Sequence, residues 1–286
     1  MDIAYLISLA VSLLTSVAVL LLLSIGLAVI FGMRGIINLA HGEFVMVGAY
    51  AAVRLTQAHV PFALSVLLAG LMVAVLGVVV ERLVIRRLYD RPLDCMLATF
   101  GLSLILVQVV TMLYGATTPG LGIPLGNIKI GSYTIGMYNL LLIVAAVLAV
   151  ALVALWLKGT AFGLRARAVA TSSGMAAALG TNTSLVDTGT FAVGSAFAGL
   201  AGGLLAPFLG VSPSMGQGFI GEVFMTVLVG GGNFLAGTPA AAGILGGTKN
   251  ILSTNLSPVL GQAGLLLLAM VIVRFLPRGL ARGLRA

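Results

Sequence analysis

Long apolar stretches without a charged residue dominate this chain. The first of them runs from Ile3 to Met33, which is longer than the roughly 20 residues that an α-helix needs to cross the hydrocarbon of a bilayer. The others are Leu55–Val80, Cys95–Ile128, Ile130–Leu157, Thr188–Gly221, Val223–Thr248 and Asn250–Val273. Only 8% of the residues are charged, whereas about a quarter are charged in a typical soluble domain. The sequence therefore predicts a polytopic membrane protein.

Basic residues fall into three clusters that indicate how the spans are oriented. The clusters are Arg82, Arg86, Arg87 and Arg91; Lys158, Arg165 and Arg167; and Arg274, Arg278, Arg282 and Arg285. The positive-inside rule places all three in the cytoplasm. One span must then lead out to the weakly charged segment Gly115–Tyr133, and another must return from it. We expect an external N-terminus, a cytoplasmic C-terminus and eight or nine helical segments, one or two of them short or broken.

The later spans are expected near residues 93–114, 136–157, 185–207, 219–231, 239–254 and 262–275, after a shorter charged segment near 36–54. The sequence lacks the alternating strands that a membrane barrel would require. The predicted architecture is therefore all-α, in a single transmembrane domain over residues 1–286. The 38 glycines suit it, because small residues let helices approach closely in lipid. We interpret the clearest small-residue face, Ser195–Gly203, as a packing face.

The signatures of common catalytic and cofactor sites are missing from the sequence. It has no His-Glu-x-x-His and no Gly-x-Ser-x-Gly motif. The segment closest to a phosphate-binding loop, Gly243–Asn250, has its lysine in the wrong position. Two histidines and one cysteine, Cys95, leave no credible zinc site and no intrachain disulfide. We expect no catalytic residue, no metal, no cofactor and no binding of nucleic acid.

Five polar side chains remain at membrane depth once the basic clusters are assigned to loops: Asn38, His41, Glu43, Gln217 and Glu222. An ionisable residue inside a span is costly, which makes it a candidate for the substrate pathway or for an ion pair. His41 and Glu43 are two positions apart and would not share a face of a regular helix. A broken backbone at Gly42 would let both reach one cavity. Alternatively, this segment lies at the cytoplasmic interface, where Glu43 pairs with an arginine such as Arg34.

Two other acidic residues have simple structural interpretations. Glu222 follows the turn Ser212–Ser214, so we place it near the outer mouth, where water can solvate it, with a substrate contact as the alternative. Asp187 lies at the start of an apolar run, where the helix dipole favours an acidic residue.

A possible internal repeat adds two candidates for the pathway. The segment Gly35–Glu43 can be superposed on Gly230–Thr238 so that two glycines and one asparagine coincide. Glycine-interrupted segments at matching positions of two halves indicate the substrate site in many transporters. The superposition adds Asn233 and Thr238 to the predicted pathway, and it predicts a broken helix in each half.

The basic segment Lys158–Asn182 is rich in alanine and too polar at its start to be a span. It predicts a short pair of cytoplasmic helices that is exposed to a partner, such as an ATPase. The predicted contact residues are Arg165, Arg167 and Thr171. The alternative is a positively charged loop that only sets the orientation of the spans.

Several segments resemble one family along nearly the whole chain. Gly26–Gly32, Ile37–Phe44 and Gly48–Tyr50 are similar to the most recognisable stretch of the membrane permeases of ABC importers for branched-chain amino acids and of their relatives in urea uptake. Further similarity lies at Phe162–Val169, Ala178–Gly180, Gly230–Gly231 and Gly237–Thr238. The resemblance implies a subunit of the bacterial inner membrane that pairs with a second permease, two ATP-binding subunits and a periplasmic binding protein. ATP hydrolysis is then expected in the partner chains, and translocation by alternating access.

Softer similarities favour the urea branch. They are Asp90–Asp94, Leu97–Gly101, Val186–Asp187 with Thr190–Ala192, and Met215–Gln217 with Phe224–Met225. The chain departs from the family pattern at Arg34, where a neutral residue is usual, and in its short outer loop Gly115–Ser132. We expect urea or a short amide as the solute, with branched-chain amino acids as the alternative. A passive channel for a small neutral solute is the rival class.

Overall fold

The computed structural model of the chain describes residues 3–89, 91–115, 120–130, 133–231, 234–277 and 279–280. Helices make up most of this part of the chain, with one small antiparallel hairpin. In chain order the elements are α1 Ile3–Arg34, α2 His41–Gln57, α3 Phe62–Leu83, α4 Pro92–Tyr114, β1 Asn127–Ile130, β2 Tyr133–Gly136, α5 Met137–Gly159, α6 Ala161–Thr171, α7 Ser173–Ala178, α8 Thr183–Leu209, α9 Met215–Gly230, α10 Phe234–Asn255 and α11 Pro258–Phe275. A 3-10 turn, Ile85–Leu88, follows α3.

The architecture confirms the prediction of an all-α polytopic membrane protein. Among the described residues, six helices are long and apolar enough to cross a membrane: α1, α3, α4, α5, α8 and α11. Without the short pair α6 and α7, the described residues contain nine α-helices, which agrees with the eight or nine expected segments. Many large apolar side chains are exposed on the outer surface of the helices, and Leu93 and Met112 on α4 are each 75% exposed. Such a surface suits lipid and would be a liability in water.

The starts of four helices differ from those predicted by four or five residues, and one element was not predicted. Helix α9 begins at Met215, and α11 begins at Pro258, each four residues earlier than expected. The helix expected near 36–54 is α2, which begins only at His41. The helix expected to begin at Pro239 is α10, which begins at Phe234 and continues through that proline, as spans in lipid tolerate. The outer segment contains the hairpin β1–β2, in which Asn127 pairs with Gly136 and Ile130 with Tyr133. The sequence offered no strong signal for a hairpin of this size.

Two compact units make up the chain. The α2–α8 unit consists of Ile25–Gly120 and Ala151–Ile220, and the α10–α11 unit consists of Met1–Ser24, Leu121–Val150 and Gly221–Ala286. Helices α1, α5 and α9 contribute residues to both units. Each unit combines segments that are distant in sequence, and the single transmembrane domain over residues 1–286 stays a prediction.

Close helix contacts in the α2–α8 unit depend on glycine. A Cβ on Gly48 of α2 would lie 2.5 Å from the Cα of Gly199 on α8, which no real side chain tolerates. Gly202 packs in the same way against the backbone of Val45, and Gly77 of α3 packs against Ser195. The structure therefore confirms that Ser195–Gly203 is a packing face, and it shows that α8 is the central helix of this unit.

The α10–α11 unit is held by similar contacts and by polar side chains. Gly261 of α11 packs against Ser253 of α10. The amide of Asn250 on α10 donates a hydrogen bond to the hydroxyl of Ser12 on α1, 3.0 Å away. The rings of Tyr5 and Tyr133 lie 5.8 Å apart, and this contact attaches the hairpin to the beginning of α1.

Candidate functional site

A break separates α1 from α2. The break follows Gly35, whose φ of +66° is a left-handed conformation that glycine adopts without strain and that commonly ends helices. The chain then stays non-helical to Ala40. The sequence correctly indicated a break in this region but placed it at Gly42. Gly42 is instead the second residue of a regular helix, so the predicted broken backbone at this position is wrong.

Helix α2 begins halfway along its neighbours rather than at their ends. The ring of His41 lies beside Gly26 of α1, since a Cβ on that glycine would be 3.0 Å from Cε1 of the histidine. Gly26 in turn contacts Gly194, which is near the middle of α8. The Ser103 hydroxyl, at the centre of α4, lies beside the carboxylate of Glu43. The start of α2 is therefore at mid-depth of the spans, and its predicted alternative position at the cytoplasmic interface is wrong.

Buried polar atoms line this break. The Oδ1 atom of Asn38 accepts a hydrogen bond from the backbone of Ala40 at 3.1 Å, and the hydroxyl of Thr99 accepts one from the backbone of Leu39 at 3.2 Å. Within the described residues, Nδ2 of Asn38 and Oε2 of Glu43 have no hydrogen-bond partner. A buried polar group left in this way costs about 1–3 kcal/mol. The break thus offers one donor and one acceptor to a further group.

The first turns of two helices meet at Glu43. A Cβ on Gly216, in the first turn of α9, would lie 2.5 Å from the carbonyl oxygen of Gly42 and 2.8 Å from the backbone nitrogen of Glu43. Glycine at both positions therefore permits the contact. The positive ends of two helix dipoles meet here, and the acidic side chain in the first turn of α2 complements them. This arrangement explains how a carboxylate is tolerated at mid-depth.

His41 and Glu43 face different neighbours, as their spacing on a regular helix requires. His41 lies towards α1, whereas Glu43 lies towards α4. The predicted pairing of Glu43 with Arg34 is also wrong, because both carboxylate oxygens of Asp187 accept hydrogen bonds from Arg34. Both predicted pathway residues are nevertheless fully buried at the break.

A second break lies in the α10–α11 unit. Gly231, with a φ of +74°, ends α9, and α10 begins three positions later. Asn233 lies outside the described residues. Thr238 is buried, and its hydroxyl has no hydrogen-bond partner in the described part of the chain. Each unit thus contains a helix, a left-handed glycine and a second helix. The left-handed glycines are Gly35 and Gly231, whereas the superposition pairs Gly35 with Gly230. The repeat stays a prediction.

Glu222 and Gln217, the predicted pathway residues of α9, have different surroundings. Glu222 is buried, and Nζ of Lys249 on α10 lies 2.6 and 2.7 Å from its two carboxylate oxygens. The interpretation of Glu222 as a solvated residue at the outer mouth is therefore wrong. Lys249 was missed because it is 27 positions away. The side chain of Gln217 is exposed in the single chain.

A cluster of polar side chains joins the ends of α1, α3 and α8 where the basic residues lie. We call it the basic-end cluster, and its members are Arg34, Glu81, Arg86, Tyr89, Asp187 and Thr188. The guanidinium of Arg34 binds both oxygens of Asp187 and lies over the ring of Tyr89, 5.1 Å from its centroid. Asp187 is thus half of a bidentate ion pair between α8 and α1, and its interpretation by helix-start electrostatics alone is wrong.

Glu81 is the centre of this cluster and is fully buried. Its carboxylate accepts hydrogen bonds from Arg86 at 3.1 and 3.3 Å, from the Tyr89 hydroxyl at 3.1 Å and from the Thr188 hydroxyl at 2.8 Å. Burial raises the pKa of Tyr89 above its ordinary value, and the hydrogen bond to Glu81 raises the pKa of Arg86. Both groups therefore stay protonated as donors. The signal for these contacts in the sequence was weak, because Glu81 lies at the end of the apolar stretch Leu55–Val80, next to the first basic cluster.

The predicted pair of short helices is present as α6 and α7, and its cytoplasmic location stays a prediction. The hydroxyls of Thr160 and Ser172 accept hydrogen bonds from the first turns of these helices, as N-caps do. Arg165, Arg167 and Thr171 are all exposed. We call this exposed face, together with Leu164, Met175 and Leu179, the coupling surface, after the contact with an ATPase that the sequence predicts for it and that stays a prediction. A groove of about 490 Å³ runs beside it, lined by Phe162, Arg165, Leu179–Asn182, Leu185 and Val186.

Comparisons with known proteins agree with this architecture. The family model for the permease component of branched-chain amino acid transport systems matches residues 9–275. The chain is 25% identical over 275 residues to the high-affinity branched-chain amino acid transport system permease protein LivH of Salmonella typhimurium strain LT2, which covers 90% of this chain and 89% of the relative. LivH of Escherichia coli strain K12 gives the same identity and coverage. No solved structure matches the chain.

The matched region begins within α1 and ends with α11, and it contains both breaks and the coupling surface. The relatives are described as components of transport systems and not as enzymes. The chain therefore belongs to the family of permease components of branched-chain amino acid transport systems.

Proposed function

We propose that this chain is the permease subunit of an ABC importer in the bacterial inner membrane. It works with a second permease, two ATP-binding subunits and a periplasmic binding protein, and it moves its solute by alternating access. The match of the family model over residues 9–275 carries this proposal. The break between α1 and α2 supports it, because broken helices at mid-depth form substrate sites in many transporters.

The solute that the break suits best is an amino acid with an aliphatic side chain. The unpartnered Oε2 of Glu43 would accept from the ammonium group. The unpartnered Nδ2 of Asn38 would donate a hydrogen bond to the carboxylate. The relatives are named as branched-chain amino acid permeases, which supports the same class of solute.

Urea remains the second candidate, because one free donor and one free acceptor also satisfy a neutral amide. The variant Glu43→Gln separates the two solutes. A neutral amide oxygen still accepts from urea, whereas an ammonium group loses its charged partner, and uptake of an amino acid then falls about thirty-fold or more. Asn38→Ala removes the donor and is expected to lower the uptake of either solute. The control for Glu43→Gln is Asp94→Asn, which also removes one acidic group but at an exposed position.

The test is uptake of labelled leucine and labelled urea into cells that express the chain with its partner subunits and binding protein. Each uptake is measured with and without ATP depletion, and with and without the partners. Uptake of one solute that needs both ATP and partners is the expected result. Flux that persists without either would overturn the proposal in favour of a passive channel. Gln217, Glu222, Asn233 and Thr238 stay predicted pathway residues.

The coupling surface is proposed as the contact with an ATP-binding subunit. It combines two exposed arginines with exposed apolar side chains, a composition typical of the core of a protein interface. Reversal of both charges in Arg165→Glu/Arg167→Glu should uncouple ATP hydrolysis from uptake while the protein still inserts. Arg91→Glu, at an exposed arginine outside this surface, is the control. Wild-type uptake in the double variant would contradict the assignment.

A further inference from the structure

The beginning of α8 touches two functional regions through consecutive residues. Leu185 and Val186 line the groove beside the coupling surface. The next residue, Asp187, forms the bidentate ion pair with Arg34. A partner side chain that presses on the groove therefore acts directly on the residues before Asp187.

On the other side of the ion pair, Arg34 is the last residue of α1. Gly35 follows immediately and begins the break that leads to Asn38 and α2. A Cβ on Gly35 would meet no atom within 4 Å, so packing does not explain the glycine. The left-handed φ of Gly35 explains why the residue is a glycine. A glycine with open space around it can also change its backbone angles easily.

The remaining residues of the basic-end cluster attach α8 to α3. Thr188 donates to Glu81, and Arg86 donates to both of them, with 2.6 Å between its Nη2 and the Thr188 hydroxyl. Glu81 is fully buried and Asp187 is nearly so. Buried charged groups with this many partners hold one geometry well. The start of α8 is thus held to α1 by the ion pair and to α3 by the hydrogen bonds around Glu81, and Tyr89 contacts both Arg34 and Glu81.

We propose that the Arg34–Asp187 ion pair transmits movement of the coupling surface to the break between α1 and α2. The two residues are positioning residues for transport, and they do not contact the solute. The inference rests on the proposed function, because it needs an ATP-binding partner at α6 and α7. When that partner moves the start of α8, the ion pair draws the end of α1 with it. The backbone then rotates at Gly35, and the polar groups at mid-depth change their positions.

The test uses the complete complex with its binding protein in liposomes, where ATP hydrolysis and solute uptake are measured on the same vesicles. Asp187→Asn leaves the coupling surface intact, so ATP hydrolysis is expected to persist. Uptake per ATP hydrolysed should fall about ten-fold or more. Arg34→Lys keeps the charge but loses the bidentate geometry, and it should lower the same ratio by less. Asp94→Asn, which breaks an exposed ion pair with Arg91, should leave the ratio unchanged.

Two results would overturn the inference. One is a wild-type ratio of uptake to hydrolysis in both Asp187→Asn and Arg34→Lys. The other is a parallel loss of assembled complex, hydrolysis and uptake at an unchanged ratio, which would show that the ion pair only stabilises the fold. If the wild-type complex itself shows no ATP-dependent uptake, the proposed function fails and this inference fails with it.

Discussion

The ion pair between Glu222 and Lys249 makes a sharp prediction about stability. The carboxylate side chain is only 5% exposed, whereas the lysine side chain is 30% exposed. The two partners are therefore not equivalent when one of them is removed. Lys249→Met leaves a buried carboxylate without its cation, but Glu222→Gln leaves a lysine whose long side chain can reach a more polar region.

The expected magnitudes follow from this asymmetry. Removal of one partner of a buried ion pair costs about 3–5 kcal/mol when the other charge stays buried, and this range applies to Lys249→Met. Glu222→Gln should cost about 1–2 kcal/mol, because only hydrogen bonds are lost. The double variant removes both charges, and such neutral replacements are often close to wild type in stability. It should therefore be more stable than Lys249→Met alone.

The measurement is the free energy of unfolding of the purified chain in mixed micelles, obtained by titration with a denaturing detergent. The four proteins of the cycle are compared under identical conditions, and their folded fraction is followed by circular dichroism. Equal costs for the two single variants would refute the argument from exposure. Additive costs in the double variant would refute the ion pair itself, because independent sites add whereas partners do not.

Two further predictions concern single residues of the α2–α8 unit. Gly35→Ala should lower the free energy of unfolding by about 1–2 kcal/mol, because alanine is strained at a left-handed φ; Gly101→Ala, at a helical glycine with open space around its Cβ, is the control and should not destabilise. Because burial raises the pKa of Tyr89, the folded protein holds the phenolic proton more tightly than the unfolded chain does. The stability that Tyr89 contributes is therefore complete below pH 10.0, the ordinary pKa of tyrosine, and it declines as the pH rises above that value. Unfolding temperatures of the wild type and of Tyr89→Phe, measured between about pH 8 and 11, should converge as the pH rises, and a constant difference would contradict the role of Tyr89.

Most of the spans could be predicted from the sequence. The helix expected near residues 93–114 is α4, Pro92–Tyr114, and that expected near 136–157 is α5, Met137–Gly159. The thickness of the bilayer sets the length of such a helix, and the next charged residue marks its limit. Both are local properties of the chain. The same logic located α6 and α7 within the segment Lys158–Asn182.

The candidate site was predicted in composition but not in geometry. Asn38, His41 and Glu43 are buried together at a break, as expected. The position of the break was missed because the sequence alone does not show which of the two glycines, Gly35 or Gly42, adopts a left-handed conformation. Only the contact of Gly42 with Gly216 shows that the second glycine serves packing.

By itself, the sequence determined that this chain spans a membrane, roughly where most of its spans lie and which segments carry charge, because hydrophobic length and charge are local properties of the chain. The tertiary structure decided which charges meet. Arg34 and Asp187 are 153 positions apart, and Glu81 and Thr188 are 107 positions apart. Their pairing depends on where α8 crosses α1 and α3, and those crossings are set by glycine contacts such as Gly26 with Gly194. A crossing point is a property of two surfaces that fit together, and neither surface alone contains it.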